Sequence, residues 1–147
     1  MYGIGSLVIL LSAGLLLQPP AAVAADGRDG EFLYGFLAGR YQLVGKGPES
    51  TATYAGRVTL ARGDSGLVVT REIGGRSVTG SARVETAGEN VEVLRIRFAE
   101  AGVEYEETCL IGSDLDNYAR LTCHLYRPGV RTDAPGLEAL FIDPGGR

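Results

Sequence analysis

The sequence has few side chains of the kinds that build metal centres, with only two cysteines and one histidine in 147 residues. A structural zinc site takes four ligands, most of them from cysteine and histidine, and three residues do not supply four. The sequence also lacks a phosphate-binding glycine-rich loop, a nucleophile elbow and a motif with paired catalytic carboxylates. These absences predict a protein that is not an enzyme and that uses no metal or other cofactor.

Charge is missing from the N-terminus, because residues 1–25 contain no Asp, Glu, Lys or Arg. The apolar run at residues 7–17 is too short to span a bilayer, and small residues at Ala22 and Ala24 suit cleavage next to Ala25. Residues 1–25 are therefore predicted to be a signal peptide, and the mature protein to be periplasmic or secreted with no stable membrane anchor. The missing positive n-region leaves an uncleaved N-terminal anchor as the alternative.

The net charge of −4 and the pI near 5.0 argue against a nucleic acid or an anionic membrane as the partner. About 120 residues remain after cleavage, which is enough for one domain with a modest core. We expect a tail and a short helical turn over residues 26–38, a single domain over 39–143, and a tail over 144–147.

From Gly39 onward the hydrophobic period is two, which is the period of a strand with one buried face. About eight such segments follow one another, and most are joined by tight turns such as Gly74-Gly75. An up-and-down order leaves only the first and last strands as edges, and pairing them removes both. The sequence predicts an all-β fold, an eight-stranded antiparallel up-and-down β-barrel with a short N-terminal helical turn.

Both cysteines lie in one predicted hairpin. In an exported chain a single cysteine pair favours an intramolecular disulfide, here Cys109 with Cys123. That pairing sets Ile111 opposite Leu121 and Glu107 on the same inward face. The masses of the protein before and after reduction are expected to differ by two protons.

The positions of arginines and glutamates predict which residues pair across the strands of the preceding hairpin. If residues 99–102 form the connecting loop, Phe98 faces Val103, Arg97 faces Glu104 and Arg95 faces Glu106. The arginines and glutamates then form opposite-charge pairs on the outer face.

The same reasoning on the loop at residues 62–65 pairs Leu60 with Leu67 and Gly56 with Arg71. Arg71 then points into the barrel, as Glu107 does from another strand. A buried unpaired charge is costly, so we expect that the two compensate each other, that water and a ligand do so, or that a bulge turns one outward.

The chain resembles the calycin-like group, the lipocalin and avidin type of barrel, in small exported bacterial form. The resemblance rests on Gly39-Arg40-Tyr41 after a short helical turn, where lipocalins have Gly-x-Trp, and on the eight-strand meander. It implies a ligand held in the barrel interior or mouth. Biotin is not the expected ligand, because the sequence has no tryptophan and that pocket is typically lined by tryptophans.

The predicted site for a small or apolar ligand is the barrel interior or mouth. Arg71 and Glu107 are its polar anchors, and Tyr41, Tyr54 and Tyr105 are its walls. The alternative is a solid core, because small eight-stranded barrels are often filled by their own side chains.

A second hypothesis is a protein-binding module or secreted-enzyme inhibitor that acts through its loops or through one outer strand face. Four residues are predicted to share that face: Tyr118, Arg120, His124 and Tyr126. A solvated strand face explains the same residues. His124 has no serine or aspartate partner specified by the sequence, so a catalytic role is not expected.

Overall fold

The structure, a computed structural model, describes residues 27–113 and 115–146, so the predicted signal peptide lies outside the described residues. Helix α1 (Gly27–Leu37) comes first, and a short 3-10 helix (Pro144–Gly146) comes last. Between them lie eight strands: β1 (Gly39–Lys46), β2 (Thr53–Gly63), β3 (Gly66–Ile73), β4 (Arg76–Ala87), β5 (Val91–Glu100), β6 (Val103–Ser113), β7 (Ala119–Tyr126) and β8 (Gly136–Ile142).

The strands form one closed barrel. Each strand pairs antiparallel with its neighbours in the chain, and β8 closes on β1 with Leu43 opposite Leu140. The predicted all-β, eight-stranded up-and-down barrel is confirmed. The helix is longer than the predicted turn, because residues 27–30 are helical where a tail was expected. Within the described residues no helix is long and apolar enough to cross a membrane.

Helix α1 covers one end of the barrel, which we call the helix end. Leu37 is fully buried there, and the Tyr41 hydroxyl donates a hydrogen bond of 2.6 Å to its carbonyl. The Tyr34 hydroxyl accepts the Val84 N–H at 3.2 Å, which ties the helix to β4. The opposite end, where β1 ends and β2 begins, is the mouth.

The core is formed by the inward faces of the strands, which alternate buried and exposed as the sequence pattern predicts. Its fully buried members include aliphatic side chains from six of the eight strands: Leu43, Val58, Leu60, Val69, Leu94, Ile96, Leu121 and Leu140. The interior between the helix end and the middle of the barrel is therefore packed with side chains.

The hairpin between β2 and β3 has a register different from the predicted one. Gly63 pairs with Gly66, so the turn consists of residues 64–65 rather than 62–65. Arg71 consequently lies opposite Val58, and Gly56 lies opposite Ile73. The predicted Gly56–Arg71 and Leu60–Leu67 pairs are wrong by two residues. An even shift preserves the inward face, so Arg71 still points into the barrel.

The hairpin between β5 and β6 shows the same two-residue shift. Ala101 and Gly102, both with positive φ, form its turn, and Glu100 pairs with Val103. Arg97 therefore lies opposite Glu106 rather than Glu104. Phe98 lies opposite Tyr105, its aromatic partner, rather than opposite Val103.

The hairpin between β6 and β7 has the predicted register. Cys109 lies opposite Cys123 and is disulfide-bonded to it, Ile111 lies opposite Leu121, and Glu107 lies opposite Leu125. The disulfide is consistent with folding in an oxidising compartment.

Gly80 on β4 is expected to tolerate no side chain. A Cβ added there would lie 2.3 Å from the Arg97 carbonyl oxygen of the neighbouring strand, closer than such atoms approach. We expect Gly80→Ala to lower the free energy of unfolding by about 1–3 kcal/mol, as overpacking does. Urea unfolding measures this loss.

The matched control is Gly112→Ala, because its Cβ would lie at an ordinary 3.5 Å from the nearest carbonyl oxygen, that of Arg120. Equal losses for the two variants would contradict close strand approach as the cause.

Candidate ligand site at the barrel mouth

A buried ionic cluster crosses the barrel interior near the mouth. It consists of Arg71 from β3, Glu107 from β6 and Glu138 from β8, which are 4%, 0% and 2% exposed. Each occupies an inward position in the alternation of its strand. One cation therefore faces two carboxyl groups in a part of the barrel shielded from water.

Arg71 holds the cluster together. Its Nη2 donates to Glu138 Oε1 at 2.7 Å and its Nη1 to Glu138 Oε2 at 2.9 Å, a bidentate pairing. Nη1 also donates to Glu107 Oε1. The Tyr54 hydroxyl, from β2, donates to Glu138 Oε1. The predicted inward pairing of Arg71 with Glu107 is present, and Glu138 completes it.

The protonation states follow from burial and from these contacts. Burial raises the pKa of Glu107 to about 8; the neighbouring Glu138 carboxylate adds to the rise, and Arg71 opposes it. Burial by itself lowers the pKa of Arg71, but the two glutamates more than offset this, so its pKa lies above the ordinary value. At neutral pH Arg71 is therefore positive and Glu107 holds a proton, while Arg71 remains paired with Glu138.

A pH dependence of stability follows from Glu107. Its ordinary pKa is 4.5, so between about pH 4.5 and about pH 8 the folded protein binds a proton that the unfolded chain has released. The free energy of unfolding is thus expected to fall as the pH rises through this interval. Urea unfolding at several pH values measures it, with Glu107→Gln as the comparison.

The groups that face Glu107 are Arg71, Glu138 and, at 3.7 Å from its Oε2, the Sγ of Cys109 in the disulfide. The difference in unfolding free energy between wild type and Glu107→Gln isolates the single proton. A difference that stays constant from pH 5 to pH 8.5 would contradict the raised pKa.

Arg71, with the two glutamates bonded to it from behind, forms the floor of a recess at the mouth, which has a volume of about 150 Å³. Phe98 and Tyr105 form one wall as a stacked pair, with ring centroids 5.4 Å apart. The Arg71 guanidinium carbon lies 4.3 Å from the Phe98 ring centroid, a cation–π contact. The remaining lining comes from several elements: Gly47, Pro48, Tyr54, Ile73, Arg76, Glu100 and Leu125.

The rim of the recess is also charge-balanced, because Arg76 and Glu100 form an ion pair of 3.0 Å across it. Larger depressions of about 400 and 450 Å³ occur elsewhere, on the outer wall beside hairpin turns. We regard the mouth recess as the candidate site because it combines aromatic walls with buried polar groups.

The structure brings together only part of the predicted ligand site. Arg71, Tyr54 and Tyr105 line the recess, and Glu107 lies behind Arg71, fully buried. Tyr41 is not brought to this site, because it lies at the helix end and bonds Leu37. The two alternatives of a filled core and a cavity thus apply at different heights of the same barrel.

Sequence reasoning missed Glu138 and Phe98 as members of the site. The signal for Glu138 was present, since Gly136, Glu138, Leu140 and Ile142 alternate inward along β8.

The predicted partner surface is divided by the structure. Arg120 and His124 are exposed on the outer face of β7, whereas Tyr118 precedes the strand and packs against the core. Tyr126 is part-buried in a polar network, where its hydroxyl accepts from Arg95 at 2.8 Å and donates to Glu106 at 2.5 Å.

That network is a row of paired arginine and glutamate side chains on the outer face of the barrel. Glu106 also accepts from Arg97 at 2.7 Å, and Arg97 pairs with Glu85 at 2.6 Å. Burial would raise the pKa of Glu106, but the hydrogen bonds from Tyr126, Arg95 and Arg97 hold it below its ordinary value. Arg95 reaches Glu106 at 2.9 Å although it lies opposite Thr108, so the predicted pair forms diagonally.

Among the described residues, the one group of three or more His, Cys, Asp or Glu side chains close enough to share a metal ion is Glu107 with Cys109 and Cys123. Both sulfurs are bonded to each other, so neither is available as a thiolate ligand. Compared with known proteins, the chain matches no protein-family model and no curated protein.

Proposed function

We propose that this protein is an exported, calycin-like barrel that binds a small, largely apolar ligand in the mouth recess. The observation that carries the proposal is the position of Arg71, which is held by two buried glutamates and lines an aromatic recess. No enzymatic role is proposed, and the protein is taken to act in the periplasm or outside the cell.

The ionic cluster supports a binding role because it is an expensive way to fill a barrel. Desolvating one cation and two carboxyl groups costs several kcal/mol per ion, and well-packed apolar side chains of similar volume often give equal or greater stability. In this barrel the polar cluster takes the place of part of the apolar filling near the mouth, where Phe98, Tyr105 and Leu125 are its apolar neighbours. Rigid polar groups beneath an apolar recess are typical of ligand sites.

The size of the recess limits the ligand. A dry cavity of about 150 Å³ in another protein holds benzene. The recess of about 150 Å³ is therefore matched to a single ring or to the end of a longer apolar molecule.

Phenol is a suitable first probe, with amide NMR shifts as the readout. We expect shifts confined to the lining residues, Gly47, Tyr105 and Leu125 among them. Ile73→Trp fills the recess and is expected to abolish them. Val68→Trp is the matched control, since Val68 is 44% exposed on the outer face of the same strand. Absence of shifts with phenol and toluene, or equal shifts in Ile73→Trp, would overturn the proposal.

A second candidate function, binding of a protein partner, is favoured by the outer surface of β1, β6, β7 and β8. Four large apolar side chains are 44–58% exposed there, and we call them the outer apolar face: Val44, Leu110, Leu137 and Phe141. They are joined in register, because Val44 lies opposite Ala139, Ala139 opposite Thr122, and Thr122 opposite Leu110.

The charged residues around the outer apolar face indicate which side chains a partner would carry. The only acidic residue in β1, β7 and β8 is Glu138, which points inward, whereas Arg40, Arg120 and Lys46 lie on the outer side. On the outer side of β6, Glu106 is already paired with Arg95 and Arg97, and Glu104 lies outside the segment that pairs with β7. A second copy of this face would bring like charges together. The fitting partner is a segment with apolar side chains beside carboxylates.

Titration with a synthetic peptide of alternating Leu and Glu tests this candidate, with an alternating Leu and Lys peptide as the control. Shifts at Leu137 and Phe141 are expected with the acidic peptide alone and are expected to be lost in Arg120→Glu. Equal responses to the two peptides, or no response to either, would refute this candidate. Shifts that depend on protein concentration without peptide would indicate a second copy as the occupant.

A further inference from the structure

We infer that the mouth recess selects an uncharged, planar ligand that carries an acceptor oxygen, and that it discriminates against anions and cations of the same shape. This inference rests on the proposed function, since it names the chemical class of ligand for the same site. Three features of the recess carry it: the donors of Arg71, the charge balance of the floor and rim, and the geometry of the walls.

Arg71 has N–H groups to spare. A guanidinium carries five N–H donors, and it has no acceptor. Three hydrogen bonds to Glu107 and Glu138 account for Nη1 and for one hydrogen of Nη2. Within the described residues, two donors of Arg71 therefore have no protein acceptor, and Arg71 lines the recess. A carbonyl or hydroxyl oxygen of a ligand is the group that fits this donor surplus.

The charge of the site is already balanced without a ligand. On the floor, Arg71 is paired bidentately with Glu138, and Glu107 carries a proton at neutral pH because burial raises its pKa to about 8. On the rim, Arg76 is paired with Glu100. A charged ligand therefore enters without a counterion, and transfer of an uncompensated charge out of water is costly.

Each sign of charge also meets a repelling group. A ligand carboxylate that approaches the free donors of Arg71 comes next to the Glu138 carboxylate, which already accepts hydrogen bonds from both Nη1 and Nη2. A ligand cation that approaches Glu138 meets Arg71 first. A neutral oxygen acceptor avoids both penalties and still receives an N–H.

The walls favour a flat molecule. Phe98 and Tyr105 are stacked with an angle of 19° between their planes, so the two rings lie nearly parallel within one wall. Tyr54 is fixed by its bond to Glu138, and burial together with that carboxylate raises its pKa, so it remains a neutral phenol. A planar ring can bury apolar surface against these walls without a change in the cluster.

Three planar compounds of almost equal shape separate the charges: benzamide, benzoate and benzamidinium. Toluene completes the set, because it has the ring and no acceptor oxygen. With wild-type protein at pH 6.5 and amide NMR shifts as the readout, we expect benzamide to bind at least tenfold more tightly than either ion, and more tightly than toluene. Ile73→Trp is expected to abolish binding of all four.

The outcomes are distinguishable. If benzoate or benzamidinium binds as tightly as benzamide, selection for an uncharged ligand is overturned while the proposed binding site stands. If toluene binds as tightly as benzamide, the role of the free Arg71 donors is overturned. If no compound binds, the proposed function fails and this inference fails with it.

Raising the pH supplies a second readout that a purely steric site would not show. Above about pH 8 Glu107 loses its proton, and the floor formed with Arg71, Glu138 and Tyr54 gains one negative charge. The affinity for benzamidinium is then expected to increase severalfold between pH 6.5 and pH 9 in wild type and to stay constant in Glu107→Gln. An equal increase in both proteins would contradict the charge argument.

Discussion

Replacement of Arg71 with methionine is expected to lower the free energy of unfolding by about 3–5 kcal/mol, the cost of removing one partner from a buried ion pair. Arg71 forms hydrogen bonds to Glu107 and Glu138, which are both buried in the folded barrel. Methionine fills a similar volume but leaves Glu138 without its cation. Urea unfolding at pH 7 measures the loss.

Arg76→Met is the matched control, because Arg76 also pairs with a glutamate but its side chain is 72% exposed. An exposed pair of this kind contributes about 0–1 kcal/mol, so the control is expected to unfold almost as wild type does. Similar losses for the two variants would mean that the buried cluster does not stabilise the barrel as we describe.

A triple variant separates packing from charge. With Arg71→Met, Glu107→Leu and Glu138→Met combined, no unpaired charge remains, and stability is expected to return to the wild-type value or to exceed it. The same variant is expected to lose selection for an acceptor oxygen, because the N–H donors have gone. Recovery of stability with loss of selectivity would show that the cluster is retained for binding.

Removal of the disulfide has the second largest expected effect. Cys109 and Cys123 are 14 residues apart, and a cross-link of this span stabilises by about 3 kcal/mol, mainly by restricting the unfolded chain. We expect the double variant Cys109→Ala and Cys123→Ala to lose about that amount in urea unfolding.

Wild-type protein treated with a reductant is the comparison, since it keeps both sulfur atoms in the core. Its loss reports the cross-link, and any further loss in the alanine variant reports the packing of the two sulfurs, which are fully buried. A loss below about 0.5 kcal/mol on reduction would contradict the estimate from chain entropy.

The closed barrel and its inward faces were predictable because alternation with a period of two is a local signal. The cross-strand register was less predictable. The two hairpins whose register was predicted wrongly, with turns at residues 64–65 and 101–102, have two-residue turns where four-residue loops were predicted. Tightening a turn by two residues shifts every cross-strand pair by two but keeps each side chain on its face. Thus Arg71 was placed inward correctly and opposite the wrong residue.

The cluster was only partly predictable, because its third member depends on barrel closure. Glu138 lies beside Arg71 only when β8 pairs with β1 and β7, and no local pattern sets that alignment. The placement of Tyr41 failed for a related reason. Its inward direction was predictable, but its height in the barrel depends on helix α1 reaching as far as Leu37.

The meander also has a kinetic consequence. Seven of its eight strand pairings join neighbours in the sequence, whereas β1 with β8 joins Leu43 to Leu140, 97 positions apart. Closing a loop of that length costs about 2 kcal/mol more than closing one of ten residues. The seam between β1 and β8 is therefore expected to form last during folding. Since Glu138 lies on that seam, the charged floor of the recess is completed in the same step.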